Sequence, residues 1–321
     1  MYRAHFGLRE PPFGLTPDTS FFFACSAYQE ALNILLIAVN NGEGFLKITG
    51  EVGTGKTLLC RKFLSSLNSG GAPQVGAGTA AEEDGLVYAD LRGKRFITAY
   101  VPNPYLEPRS LLAALAEELG VTVDKDADLH HVTKALTRAL LGFARQDKRV
   151  VVCLDEAQAM PMESLEALRL LTNLETEKRK LMQVILFGQP ELEHKLNDQP
   201  VRQLKQRITF QYHLRGLAKE DLPDYLGHRL KVAGHLDGRV FDKAAVAMMY
   251  RVTGGIPRLV NIVAHKALML AYGEGKQEAT SRHVALAAAD TPAAKPRTRF
   301  WRWLGWGAAV VSVGCVSWVL L

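Results

Sequence analysis

The rhythm of apolar and polar positions changes twice along the chain. Residues 45–49, 96–101, 149–154 and 182–187 are short apolar runs. The 149–154 run is almost wholly β-branched and apolar, the pattern of a strand buried on both faces. Between these runs the period lengthens to that of a helix. Ala31, Leu32, Leu35, Leu36 and Val39 share one face behind a prospective N-cap at Ser26. Residues 110–119 and 131–145 are amphipathic, and 163–178 carries Leu165, Leu168, Leu171 and Leu174 on one side. Strands alternating with helices predict a parallel sheet covered on both faces. After about residue 216 the strand rhythm stops, and 219–233, 242–253, 257–272 and 280–289 all read as helices. The fold class is therefore α/β, a parallel sheet sandwiched by helices, followed by a small α-helical domain.

Three stretches lack either period. Residues 1–27 are rich in Pro, Gly and Phe, and prolines at 11, 12 and 17 exclude a long helix, which predicts an extended lead-in packed on the sheet domain. Residues 69–89 are small and polar and read as a flexible insertion. Residues 304–321 carry no charge. As a helix they reach about 27 Å, just under a hydrocarbon core of about 30 Å. Phe300, Trp301 and Trp303 flank them as interfacial aromatics. The expected order is lead-in 1–27, sheet domain 28–215, helical domain 216–290, basic linker 291–302 and transmembrane helix 303–321.

Charge sharpens that picture. Of the net +6, four charges sit on Lys295, Arg297, Arg299 and Arg302, which leaves +2 for residues 1–294. The body is too nearly neutral to be a nucleic-acid binder on charge alone. Basic residues before the apolar tail predict a single-pass protein with its body on the cytoplasmic side. Cys25, Cys60, Cys153 and Cys315 form no paired motif, the nine histidines have no metal-ligand spacing, and the N-terminus shows no secretory signal.

The chemistry concentrates at the ends of the apolar runs. Gly50-Glu51-Val52-Gly53-Thr54-Gly55-Lys56-Thr57 fits G-x-x-x-x-G-K-[ST] in full, between a strand and a helix as that loop requires. Its backbone N–H groups suit phosphate, Lys56 reaches the β- and γ-phosphates, and the Thr57 hydroxyl suits Mg²⁺. The nucleotide-binding set is Gly50, Glu51, Val52, Gly53, Thr54, Gly55, Lys56, Thr57 and Leu58. Asp155 and Glu156 follow the buried 149–154 run, where two carboxylates are costly unless they are used or solvated. Asp155 suits Mg²⁺ and Glu156 suits activation of water. Gln189 ends the 182–187 run and either senses phosphate or caps the turn before Pro190. Arg202 and Arg207 offer a finger for a neighbouring subunit or a solvated helix face. Arg258 opens a helix behind Gly254-Gly255-Ile256-Pro257, which fixes its direction.

Taken together, these residues resemble the AAA+ ATPases of the ExeA/GspA group, and more closely its MSHA pilus biogenesis branch. The resemblance covers about residues 1–290. It rests on the lead from Phe6 to Asp18, the phosphate loop, Leu154-Asp155-Glu156-Ala157-Gln158 and Phe187-Gly188-Gln189-Pro190-Glu191-Leu192. Gln206-Arg207-Ile208, Arg229-Leu230 with Ala233-Gly234, and Gly255-Ile256-Pro257-Arg258 complete it. It implies ATP and Mg²⁺ as cofactors, a helical lid, and a ring-like homo-oligomer. It further implies Gln189 as first sensor, Arg207 as finger and Arg258 as second sensor. As partners it implies pilus or type II secretion assembly proteins at the bacterial inner membrane. The rival is a DNA-associated AAA+ ATPase of the transposition-helper kind, which the near-neutral body and apolar tail argue against. Lys56, Asp155 and Glu156 together argue against a non-hydrolysing scaffold.

Overall fold

The computed structural model describes residues 2–68, 95–174 and 180–294. The 69–89 insertion, most of the basic linker and the transmembrane expectation at 303–321 lie outside those residues. Among the described residues no helix is long and apolar enough to cross a membrane. In chain order the elements are α1 (Tyr2–His5), α2 (Ser26–Asn41), β1 (Phe45–Gly50), α3 (Lys56–Asn68), β2 (Arg95–Val101), α4 (Pro108–Glu118), α5 (Leu129–Arg145) and β3 (Lys148–Leu154). There follow α6 (Met162–Leu171), β4 (Met182–Gly188), α7 (Glu191–Lys195), α8 (Arg202–Lys205) and β5 (Ile208–Leu214). The last four are α9 (Leu222–Val232), α10 (Lys243–Thr253), α11 (Pro257–Gly273) and α12 (Ser281–Ala289).

Two compact units emerge, Thr16–Leu217 and a second made of Met1–Leu15 with the chain from Ala218 onward. The first is built on a five-stranded parallel sheet in the order β2-β3-β4-β1-β5. β1 and β4 are buried along their whole length and β3 along its last five residues, which is why their sequences are continuous apolar runs. Alternation divides their side chains between two layers. Val150, Val152, Leu154, Val184 and Leu186 face a core with Leu111, Leu115, Leu136, Leu140, Leu165 and Leu168 of α4, α5 and α6. On the other side α2 and α3 contribute Leu35, Leu36, Leu59 and Phe63. Because every strand is parallel, the carboxyl ends of β1, β3 and β4 come out at one edge, where such sheets bind ligands.

Several boundaries move. α2 starts at Ser26 with Cys25 in the capping position, so Ser26 is inside the helix. The expected 163–178 helix stops at Leu171, where Thr172 closes it. β5 is a strand that periodicity missed, because it lies at the sheet edge and Thr209, Phe210, Gln211 and His213 are all exposed. Gln183 and Lys47 are polar residues inside the central strands. The Gln183 amide donates to the Val39 and Glu43 carbonyls, at 3.2 and 2.8 Å, tying β4 to the end of α2. Lys47 ion-pairs with Glu193 on α7.

The lead-in departs most from expectation. It does not pack as one extended piece on the sheet domain. Residues 2–15 belong to the helical unit, and only the part from Thr16 joins the sheet unit. α1 is seated on α11, with the Tyr2 hydroxyl 3.2 Å from His265 Nδ1. Arg9 N donates to the Ala233 carbonyl at 2.7 Å. Arg229, only 7% exposed, donates through Nε to the Pro12 carbonyl at 2.6 Å and through Nη2 to that of Gly14 at 3.3 Å. Its guanidinium lies over the Tyr225 ring, whose hydroxyl donates to Asn261 at 2.8 Å. The arginine fastens the lead-in because those carbonyls have little water to turn to.

Arg229→Met keeps the packing volume and removes the donors. It is expected to destabilise the helical unit by about 2 kcal/mol, the scale of charge-assisted hydrogen bonds, read as a lower urea midpoint and faster proteolysis within residues 1–15. An unchanged midpoint and proteolysis pattern would contradict this role.

Candidate active site

The phosphate-type loop runs from Gly50, the last residue of β1, to Lys56, the first of α3. The sequence folds this way because two glycines are sterically required. A Cβ at Gly50 would lie 2.7 Å from the Leu214 carbonyl oxygen of β5. Gly55 has φ +91°, and a Cβ there would run into the Tyr28 hydroxyl, which itself bonds the Thr54 carbonyl. The Thr54 hydroxyl closes the turn onto the Glu51 carbonyl at 2.9 Å. Glu51 and Val52 point to solvent, Thr54 is buried and Leu58 is half-buried on α3. The amino end of α3 thus faces the loop with its unpaired N–H groups, a ready site for an anion.

Lys56 is 5% exposed, and its ammonium donates to the carbonyls of Gly50 at 2.8 Å and Glu51 at 3.0 Å. Burial pushes its pKa down, while Glu156 and Asp155 pull it back up. An ammonium has three donors, so two carbonyl bonds leave one for a phosphate oxygen.

Asp155 stands one residue past β3 and is 2% exposed. Burial raises its pKa, opposed first by the Thr57 hydroxyl and then by the Glu156 N–H. Oδ2 accepts from Thr57 Oγ1 at 2.6 Å and from the Tyr100 hydroxyl at 3.3 Å, and Oδ1 accepts from Glu156 N at 3.0 Å. Thr57 and Asp155 are both hard oxygen donors, suited to Mg²⁺ with water and phosphate completing its shell. Among the described residues no cluster of three or more His, Cys, Asp or Glu side chains is arranged for a metal. A site of one hydroxyl and one carboxylate fits a cation carried in with a nucleotide.

Glu156 sits in the left-handed region, φ +52° and ψ +38°, between the end of β3 and the turn Ala157–Ala159. Its Oε2 accepts from Gln158 Nε2 at 2.5 Å and from Gln189 Nε2 at 3.1 Å. Gln158 Oε1 in turn accepts the backbone N–H of Gln189 at 3.0 Å, which fixes the orientation of the Gln158 amide. Because β4 lies between β1 and β3, Gln189 emerges between the loop and the carboxylates. Lys195 Nζ clamps the Gln158 and Met160 carbonyls from α7, at 2.7 and 2.6 Å.

Of the residues singled out by sequence, Lys56, Thr57, Asp155, Glu156 and Gln189 converge at this edge. Arg202 opens α8 and Arg207 precedes β5; both are exposed, and Arg207 acts electrostatically on Glu166 of α6. No described hydrogen bond joins either to the carboxylates. Arg258 is exposed at the start of α11 in the other unit. Two members of the site were missed. Gln158 was legible only as part of a motif, and Tyr100 carried no signal beyond its place one residue before the end of a strand run.

Comparison with known proteins bears on the family and the fold. Residues 39–196 match the family described as AAA domain. General secretion pathway protein A of Aeromonas hydrophila is 40% identical over 288 residues, covering 90% of this chain and 48% of that protein. The chain therefore spans about half the length of that relative. Among solved structures, Cdc6p of Pyrobaculum aerophilum superposes with a TM-score of 0.61 at 17% identity, over 87% of this chain and 70% of that one. The ORC2 protein of Aeropyrum pernix gives 0.57 at 20%, over 85% and 69%. These last two speak for the fold alone. The sheet unit is a P-loop AAA-type α/β domain.

Gly55→Ala is expected to add about 1–3 kcal/mol of backbone strain and to force Tyr28 away from Thr54. The melting temperature should fall, with nucleotide affinity at least tenfold weaker by titration. Parent-like affinity would show that the loop tolerates a Cβ there.

Proposed function

We propose that this GspA-like chain is a Mg²⁺-dependent ATPase that works as an oligomeric motor for a secretion or MSHA-type pilus assembly at the bacterial inner membrane. One observation carries the enzymatic part: Asp155, delivered by a buried strand with Glu156 next to it, accepts a 2.6 Å hydrogen bond from Thr57 of a complete phosphate loop. The 40% identity to a general secretion pathway protein supports the cellular part.

In this reading Gly50, Glu51, Val52, Gly53, Thr54, Gly55, Lys56, Thr57 and Leu58 hold the nucleotide, with Lys56 on its terminal phosphates. Thr57 and Asp155 hold Mg²⁺, which when bound neutralises charge between the β- and γ-phosphoryl groups. Glu156 takes the proton of the attacking water at a carboxylate oxygen. Its Oε2 now accepts two amide donors, so it must release at least one to act as a base. Gln189 is the donor placed to be drawn toward a γ-phosphate, and its departure would free Glu156 when ATP is in position. Arg207, with Arg202 as the alternative, reaches the neighbouring subunit's nucleotide as a finger. The helical unit serves as the lid, with Arg258 as its phosphate sensor. The apolar 303–321 segment anchors the motor, with the ATPase body in the cytoplasm.

Lys56→Ala is expected to abolish nucleotide binding. Glu156→Gln should keep binding and lower kcat by about 100-fold or more. Hydrolysis by the purified full chain, measured over a protein concentration series with and without liposomes or duplex DNA, tests the motor. Specific activity rising with concentration and with liposomes is the expected result. Stimulation by DNA alone would replace the membrane reading with the transposition-helper one, and parent-like turnover in Glu156→Gln would remove the site assignment.

A further inference from the structure

β2 is an edge strand whose register sets Tyr100 opposite Cys153. On that face lies α3, the helix that follows the phosphate loop, and the Tyr100 hydroxyl comes out beneath it. The hydroxyl donates to Asp155 Oδ2 at 3.3 Å, the same oxygen that Thr57 bonds at 2.6 Å. The Arg61 guanidinium of α3 acts electrostatically on the phenol. Arg61 Nη1 also donates to the Pro17 carbonyl at 2.9 Å. Burial, reinforced by the Asp155 charge, pushes the phenol pKa up to about 12. The backbone beneath it is held too, since Tyr100 N donates across the free edge of β2 to Glu118 at 3.0 Å.

A carboxylate that holds a metal or its waters is useful only if its plane is fixed, since rotation about χ2 turns the lone pairs away from the cation. Three donors hold the plane of Asp155. The Glu156 N–H is covalently next door, and Thr57 has its own oxygen to offer the metal. Among the described residues, Tyr100 is the one side-chain donor that reaches Asp155 from outside the two motifs. We propose that Tyr100 is a positioning residue for Asp155 in Mg²⁺ binding. The inference rests on the ATPase reading.

The test is binding of a fluorescent ADP analogue to the full chain, first in EDTA and then along a Mg²⁺ titration, with melting temperatures recorded alongside. For Tyr100→Phe the affinity in EDTA should stay within about twofold of the parent, and the half-saturating Mg²⁺ concentration should rise by on the order of tenfold. A packing role alone would leave the Mg²⁺ titration unmoved, because the ring is retained, and that result overturns the proposal. Should Tyr100→Phe fail to fold, Tyr100→Met, which also lacks the hydroxyl, carries the same test. It should shift the Mg²⁺ titration in the same direction, and no shift would overturn the proposal. A parent whose nucleotide affinity ignores Mg²⁺ would instead overturn the ATPase reading itself.

Discussion

A charged carboxylate at the end of a buried strand is the constraint around which the sheet edge is organised. β3 runs through five buried residues and ends on Asp155, itself almost inaccessible to water. Taking an ionised carboxylate out of water costs several kcal/mol unless donors replace the lost hydration. Here they come from three separate pieces of chain: Thr57 from the phosphate loop, Tyr100 from β2, and the backbone N–H of Glu156. Loop, edge strand and central strand are therefore held in mutual register by one group, and a Mg²⁺ site follows from the same arrangement.

The neighbouring Glu156 is solved differently. Its left-handed backbone turns the chain sharply after β3, and its carboxylate is held by two neutral amides. Neutral donors stabilise the ion without a countercharge that would have to be displaced before the group acts as a base. A lysine in either position would hold Glu156 more firmly and make it a poorer base. Lys195 is directed instead at backbone carbonyls, where it fastens the turn and leaves Glu156 alone.

How much of this was legible in the sequence depended on burial. β1, β3 and β4 announced themselves because both faces are covered, and a doubly buried strand has little choice but to be apolar. β5 escaped because an exposed edge strand can carry Thr209, Gln211 and His213 without penalty, so period and composition say little about it. The phosphate loop was readable because backbone geometry restricts it to particular residues, and Gly50 and Gly55 are where a side chain cannot fit. Tyr100 and Gln158 act through single long-range hydrogen bonds, which leave no periodic or spacing signature. The lead-in was misassigned for a related reason: prolines and phenylalanines exclude a long helix, but they do not say which surface receives them. That choice was made by Arg229, more than two hundred residues away.

The division of the lead-in fixes where the chain links the two units. The chain passes between the two units twice, between Leu15 and Thr16 and between Leu217 and Ala218. On the sheet side each passage is held by a contact close by in sequence. Pro17, two residues past the first, is bonded to Arg61 of α3. Leu214, three residues before the second, has its carbonyl against Gly50 so closely that no side chain fits between them. Both links are thus anchored on the sheet side, one by the helix that follows the phosphate loop and the other by the first glycine of that loop.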